Sequence, residues 1–187
     1  MAWSHGQFHW NELMTRDVAR AKALLKEAGV TNPTFTLMTP TTSDSQKIAQ
    51  VVQAMAKEAG FDVKIQSTEF ATSLNLADKG DFDAYVLAWS GRADPDGNIY
   101  SFAACKQPLN YAGYCKPETD AWLNASRSSL NPVERGKNYD MIATELLKER
   151  PIVYLFHRDW LWAYSARLGG VKEIPDGLLR LTGLQFN

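Results

Sequence analysis

The chain has 187 residues, 45% of them hydrophobic, 22% charged and 11% aromatic, with a net charge of −1. That length builds one domain with a sizeable core, and its composition argues against disorder. No basic excess exists to neutralise a phosphate backbone, which argues against nucleic acid as a partner, and no uninterrupted apolar run is long enough to span a bilayer.

The first ten residues offer neither the basic start nor the apolar stretch of a secretory signal. The chain is therefore a cytosolic protein or a piece of a secreted one without its leader. Trp3, Ser4, His5, Gln7 and Phe8 resemble a streptavidin-binding affinity tag, with Gly6 where the tag has proline; the alternative is a natural linker. Residues 1–14 are set aside as a leader or tag-like segment, and residues 15–187 carry the fold.

Thr15 caps a first helix and Asp17 complements its dipole. Val18, Ala21, Leu25 and Ala28 recur at helical spacing, and Gly29 supplies the stop. Residues 34–39 read as a short strand with Phe35 and Leu37 on one face. Ser43 with Gln46 fits a capping box for a second helix, whose buried stripe is Ile48, Val51, Val52, Met55 and Ala59 and whose stop is Gly60. Phe61, Val63 and Ile65 alternate with polar residues as a half-buried strand does.

A third helix over residues 70–78 stops near Gly80. Residues 84–89 are a continuous apolar run, the pattern of a strand buried on both faces. Residues 90–116 read largely as loop, with a helical turn or two at 99–104, and residues 118–127 as helix. Asn131, Pro132 and Glu134 supply cap, first position and box partner for a last helix. It turns Tyr139, Ile142, Ala143 and Leu146 inward and stops before Pro151. Residues 152–156 and 160–165 read as two strands, and 179–181 as a short one. Trp160 and Trp162, two apart, share a face, as sheet packing or as an apolar wall at a cleft. Alternating strands and helices predict an α/β fold, a mixed β-sheet flanked by helices.

Cys105 and Cys115 sit among loop-forming residues. They are either a bridge, which would stabilise by roughly 2–3 kcal/mol, or two unrelated thiols. A pair alone lacks the ligand count of a structural zinc site. Asp94, Asp96 and Asn98 mimic the start of a calcium loop, but Ile99 and Cys105 stand where that loop needs glycine and glutamate. Asp94 before Pro95 reads as a turn and cap device instead. His5 and His9 have helical ligand spacing without a third ligand. Ser90, His157 and Asp159 lack the elbow motif of a hydrolase. Asn124, Ala125 and Ser126 match a glycosylation signal. These patterns assign no metal, no cofactor and no catalysis.

Four segments together resemble the carboxy-terminal lobe of the extracellular solute-binding proteins of the dipeptide, oligopeptide and nickel importers. They are Asp17 through Gly29; Trp89, Ser90, Gly91, Arg92, Ala93, Asp94, Pro95, Asp96, Gly97 and Asn98; Asn110, Tyr111, Ala112, Gly113, Tyr114 and Cys115 with Pro117, Glu118 and Asp120; and Pro175 through Leu184. Their order and spacing carry the likeness. The resemblance implies one lobe of a two-lobe type II periplasmic binding protein, whose partners are a peptide or other small solute, an amino-terminal lobe absent from this chain, and an ABC permease in the membrane. It also implies a Cys105–Cys115 disulfide and a periplasmic or extracellular, membrane-associated location.

Ligands of open α/β sheets favour the carboxyl ends of strands, which directs attention to the end of the 84–89 run. There Trp89 offers a flat wall, Ser90 a polar contact, Gly91 close backbone approach and Arg92 a bidentate partner for a carboxylate, with Asp94 beside them. Dipeptide-binding members have an acidic residue about where Arg92 stands, so the resemblance implies a ligand with an anionic or polar group there. The competing reading pairs Arg92 with Asp94 or Asp96 to shape the loop. Two other functions stay open. Free thiols in protein from an oxidising compartment, or any turnover, would favour a stand-alone α/β enzyme. A closed apolar surface at residues 89–92 without a cleft would favour an interaction module for a permease or sensor.

Overall fold

The computed structural model describes residues 16–156, 159, 161–172, 174 and 178–187. In chain order the elements are α1 (Val18–Glu27), β1 (Thr34–Pro40), α2 (Ser43–Ala59), β2 (Asp62–Thr68), α3 (Phe70–Asp78), β3 (Ala84–Tyr85), α4 (Asp96–Ala103), α5 (Pro117–Ser128), α6 (Pro132–Glu149), β4 (Leu168–Gly169) and β5 (Gln185–Phe186). They fall into two compact units, one ending at Trp89 and the other running from Ser90 to Asn187.

The first unit is a parallel sheet of order β2-β1-β3. β1 pairs with β2 from Thr34 opposite Asp62 to Pro40 opposite Thr68, and with β3 at Leu37–Ala84 and Met38–Tyr85. Alternation along β1 sends Phe35 and Leu37 to one side, where Ala49, Val52 and Ala56 of α2 meet them with Val63 and Ile65. Phe61 meets Phe35 edge-on at 6.0 Å between ring centroids. Met38 points the other way, and the buried Ser73 and Ala77 of α3 cover that side. The Ser73 hydroxyl bonds the Tyr85 phenol at 2.7 Å.

Helix ends follow local chemistry. Gly29, Gly60 and Gly80 all take positive φ after α1, α2 and α3. Each is followed by a residue whose N–H reaches back to the helix: Val30 to Leu25, Phe61 to Ala56, Asp81 to Leu76. Only a residue without Cβ takes that left-handed turn at little cost. The starts differ from the sequence expectation. Asp17 itself caps α1, accepting from the Arg20 amide at 2.7 Å, and Thr15 lies outside the described residues. Thr42, not Ser43, caps α2, because Thr42 is still extended and Ser43 is already helical. The Gln46 amide then donates to the Thr41 carbonyl and the Ser67 hydroxyl rather than closing a box.

The α2 stripe is also corrected. Val51 and Met55 are exposed, and the sheet-facing line is Ala49, Val52, Ala56 and Ala59. The alanines allow close approach to the sheet, and that rotates the two larger side chains outward. The expected strand at 84–89 shrinks to two residues at a sheet edge, with Leu87 and Trp89 exposed. The ladder gives a reason. The Val86 amide donates to the Met38 carbonyl at 2.9 Å. The next parallel bond would need an N–H from Pro40, which has none.

The second unit packs α4, α5 and α6 around Ile99, Ala103, Tyr114, Leu123, Tyr139, Ile142 and Leu146. α4 begins at Asp96, earlier than the sequence suggested, since the Asp94 carboxylate accepts from the Asp96 amide at 2.9 Å and opens the first turn. Asn131 caps α6, its Oδ1 accepting from the Val133 and Glu134 amides at 2.9 and 3.4 Å. Glu134 completes the start through Ser129, whose hydroxyl donates to the glutamate at 2.8 Å while accepting from the Asn131 amide at 3.1 Å.

Cys105 and Cys115 form a disulfide. The Asn110 side chain braces the loop it closes, donating to the Ala104 and Tyr114 carbonyls and accepting from the Tyr114 amide. Lys116 ties the far end to α6 through Glu145 at 2.6 Å and Glu149 at 2.8 Å. These two partners hold the lysine pKa above its usual range, and Lys116 in turn lowers that of Glu145.

The described parts of 152–156 and 160–165 form no strand, and Val153, Leu155, Phe156, Leu161 and Tyr164 are exposed. Trp160 lies outside the described residues, and Trp162 is about half exposed. Apolar content marks a strand only where a neighbour supplies the ladder. Among the described residues of this tail, only β4 and β5 pair, antiparallel, and the strand expected at 179–181 lies instead at 185–186.

Val51→Ala separates the corrected core from the expected one, with Ile142, inward in both, as the reference. Ile142→Ala should cost about 2–5 kcal/mol of unfolding free energy, while Val51→Ala should stay within about 0.5. Urea denaturation checks both, and equal losses would contradict the rotation of α2. Replacing both cysteines by serine should cost about 2–3 kcal/mol. An unshifted urea midpoint would show that the loop is held without the bridge.

Candidate functional site

The order β2-β1-β3 reverses direction at β1, with α2 and α3 on opposite faces. Such a reversal opens a crevice at the carboxyl ends of the strands, where ligands of open sheets bind. Here those ends lead into Thr41 and Thr42 after β1, and through Val86 to Trp89 after β3. Thr39, near the end of β1, is fully buried, and its hydroxyl has no hydrogen-bond partner among the described residues. Trp89 is 45% exposed, so a large flat side chain stands at the end of the sheet.

The chain then runs directly into the segment Ser90, Gly91, Arg92, Ala93 and Asp94, and its geometry belongs to the second unit. The Arg92 guanidinium folds back on its own loop. Its Nη1 donates to the Ser90 carbonyl, to the Ser90 hydroxyl at 3.0 Å and to the Gly91 carbonyl at 3.4 Å. The expected pairing of Arg92 with Asp94 or Asp96 is not what holds those two acids, because both are taken by helix arginines. Asp94 receives Arg135 Nη2 at 2.8 and 2.9 Å on its two oxygens. Asp96 lies 3.2 Å from Arg127 Nε. Arg127 also stacks over Tyr100, 3.8 Å from the ring centroid.

Asn98 closes the loop. Its side chain accepts from the Arg92 amide at 2.6 Å and donates to the carbonyls of Arg92 at 2.7 Å and Asp94 at 3.2 Å. Gly97 leaves room for the Arg92 stem, since a Cβ there would stand 3.0 Å from that of Arg92. Arg135 is itself fixed, donating through Nε to the Ser126 carbonyl at 3.0 Å and through Nη2 to the Tyr139 hydroxyl at 3.4 Å. Burial pushes the Asp94 carboxyl up, but the Asp96 amide and the Arg135 guanidinium outweigh it, so its pKa lies below the ordinary carboxylate value.

The Asp94–Pro95–Asp96 sequence is therefore a two-pronged attachment to α6 and α5. Among the described residues no three His, Cys, Asp or Glu side chains are grouped to hold a metal ion. His5, His9 and His157 lie outside the described residues. Sequence reasoning named Ser90, Gly91, Arg92 and Asp94 together, and one short loop holds them. It missed Asn98, Arg127 and Arg135 as the residues that shape that loop. The one available signal was an arginine one turn before the inward Tyr139 of α6.

Comparison with known proteins bears on this arrangement. Residues 1–110 match the family model described as bacterial extracellular solute-binding proteins, family 5 Middle. The chain is 30% identical to di/tripeptide-binding protein 4 of Pseudomonas aeruginosa over 164 residues, 83% of this chain and 30% of that protein. It is 28% identical to oligopeptide-binding protein AppA of Bacillus subtilis, over 90% of this chain and 33% of the relative. The solved structure of that AppA with a nonapeptide superposes with a TM-score of 0.75 at 25% identity, covering 95% of this chain and 40% of that one. The Helicobacter pylori periplasmic binding protein DppA, solved with the peptide STSA, gives 0.71 at 26% identity, over 78% and 30%. The chain thus spans about a third of the length of the curated relatives it matches. With a parallel sheet that reverses at β1, a disulfide-closed loop and a match over its first 110 residues, this chain belongs to the family 5 bacterial extracellular solute-binding proteins.

Proposed function

We propose that this chain is the carboxy-terminal lobe of a periplasmic receptor for a peptide or related small solute, which captures its ligand by closing two lobes and delivers it to an ABC permease. The observation that carries the reading is the succession along the chain after β3: Trp89 exposed, then Ser90, Gly91 and Arg92 in a segment held at both sides. The printed names of the relatives, all binding or transport proteins, support it. The part expected to face the ligand is Trp89, Ser90, Gly91 and Arg92, with Asp94 anchoring them. A guanidinium at this point suits a ligand that presents a carboxylate, through charge-assisted hydrogen bonds. The reading involves no reaction, and half the enclosing wall comes from an amino-terminal lobe.

The test is calorimetry on the full-length protein containing this chain, with the ligand first identified by mass spectrometry of co-purifying molecules. Arg92→Ala should weaken that ligand about 10- to 100-fold, the range of one charged hydrogen bond. The 187-residue chain alone should bind it far more weakly than the full-length protein does. Unchanged affinity in the variant removes Arg92 from the site, and tight binding by the chain alone removes the two-lobe mechanism.

A further inference from the structure

We infer that Arg135, on α6, is the positioning residue of the Ser90–Asp94 segment: through Asp94 and Asn98 it sets the geometry in which Arg92 is presented. The inference rests on the proposed reading of that segment as ligand-facing.

The coupling runs through consecutive contacts. Arg135 Nη2 holds both oxygens of Asp94 at 2.8 and 2.9 Å. Asp94 holds the Asp96 amide at 2.9 Å and so begins α4. Its carbonyl accepts from Asn98 Nδ2 at 3.2 Å, and the same side chain grips the Arg92 amide at 2.6 Å and carbonyl at 2.7 Å. These contacts join Arg135 to Arg92 by way of Asp94 and Asn98. The start of the route is rigid, because Arg135 is tethered to the Ser126 carbonyl of α5 and sits on the helix whose Tyr139, Ile142 and Leu146 are in the core. A helix face thus controls the geometry of a loop that is itself exposed. The titratable groups around the pair are Asp96, Arg127 and Tyr139. Within the pair, the Asp94 carboxyl has its pKa lowered below its ordinary value of 3.8, by the Asp96 amide and the Arg135 guanidinium against the opposing effect of burial. A lowered pKa stabilises the paired state above that value, and the contribution is lost as pH falls through the folded-state value.

The experiment uses the 187-residue chain without ligand, so it is independent of whether the proposed function holds. Amide exchange and amide chemical shifts are followed by NMR in the wild type, R135M, R135K and D94N. In R135M the Arg92 and Asp96 amides should exchange at least about 10-fold faster, while those of Ile142 and Leu146 keep their protection. In the wild type both loop amides should shift together in one acid titration with its midpoint below 3.8. R135M should raise that midpoint, R135K, which keeps the charge, should largely restore it, and D94N should abolish the transition. A merely structural arginine would leave the midpoint sensed at Arg92 unmoved. If R135M loosens α6 as a whole, D94N decides, since it leaves Arg135 and its other bonds in place. Unchanged exchange at Arg92 in D94N, or loss in step with Ile142, overturns the inference. Loss of ligand binding in Arg92→Ala with no such coupling would leave the proposed function standing and remove this one.

Discussion

The ladder between β1 and β3 can run no further than Val86, because its next bond would need an N–H that Pro40 lacks. Much of the candidate site follows from that missing donor. The chain leaves the sheet at its carboxyl edge, Leu87 and Trp89 stay exposed, and the backbone is released into a loop just where the strand order reverses. An unbroken ladder would have carried Leu87 and Trp89 into the sheet.

A released loop needs another source of order, and the second unit supplies it with polar contacts. An exposed ion pair contributes little to stability, about 0–1 kcal/mol, and the Asp94 side chain is 55% exposed. The Asp94–Arg135 and Asp96–Arg127 pairs are therefore small contributors to folding beside the buried Ile142, Leu123 and the disulfide. Their effect is geometric. Each aspartate fixes one end of Pro95 to a different helix, and Asn98 fixes the backbone between Arg92 and Asp94. Weak bonds suffice for this when several share one short segment.

The elements that sequence revealed are those whose signals are local. Gly29, Gly60 and Gly80 announce helix ends because the left-handed turn is a property of one residue, and Asn131 with Pro132 announces a start for the same reason. The bounds of α3 are those read from the sequence, and the candidate segment from Ser90 to Asp94 was singled out there by its position after an apolar run. What sequence hid depends on distant partners. Val51 and Met55 read as core until three alanines decide how α2 rolls on the sheet. The run at 84–89 reads as a buried strand because nothing local shows that Pro40 faces it. Residues 152–156 read as a strand from their apolar run, yet among the described residues nothing gives them a ladder. Arg135 lies 41 positions from Asp94, beyond the reach of any periodicity.

Under the proposed closure of two lobes, the rigidity of this loop before ligand arrives has an electrostatic consequence. On an open lobe in water, a charge pair at about 4 Å is worth about 1 kcal/mol, and at the effective dielectric of a protein surface about 4. A guanidinium therefore discriminates between ligands mainly once a second wall excludes solvent. If the loop had to become ordered at that moment, conformational entropy of about 1–2 kcal/mol per residue would offset much of the gain. Five residues from Ser90 to Asp94 ordering on closure would outweigh a single charged contact. A loop already held by Arg135 and Asn98 avoids that loss, so in this proposal charge selection at Arg92 would depend on side chains that need never touch the ligand.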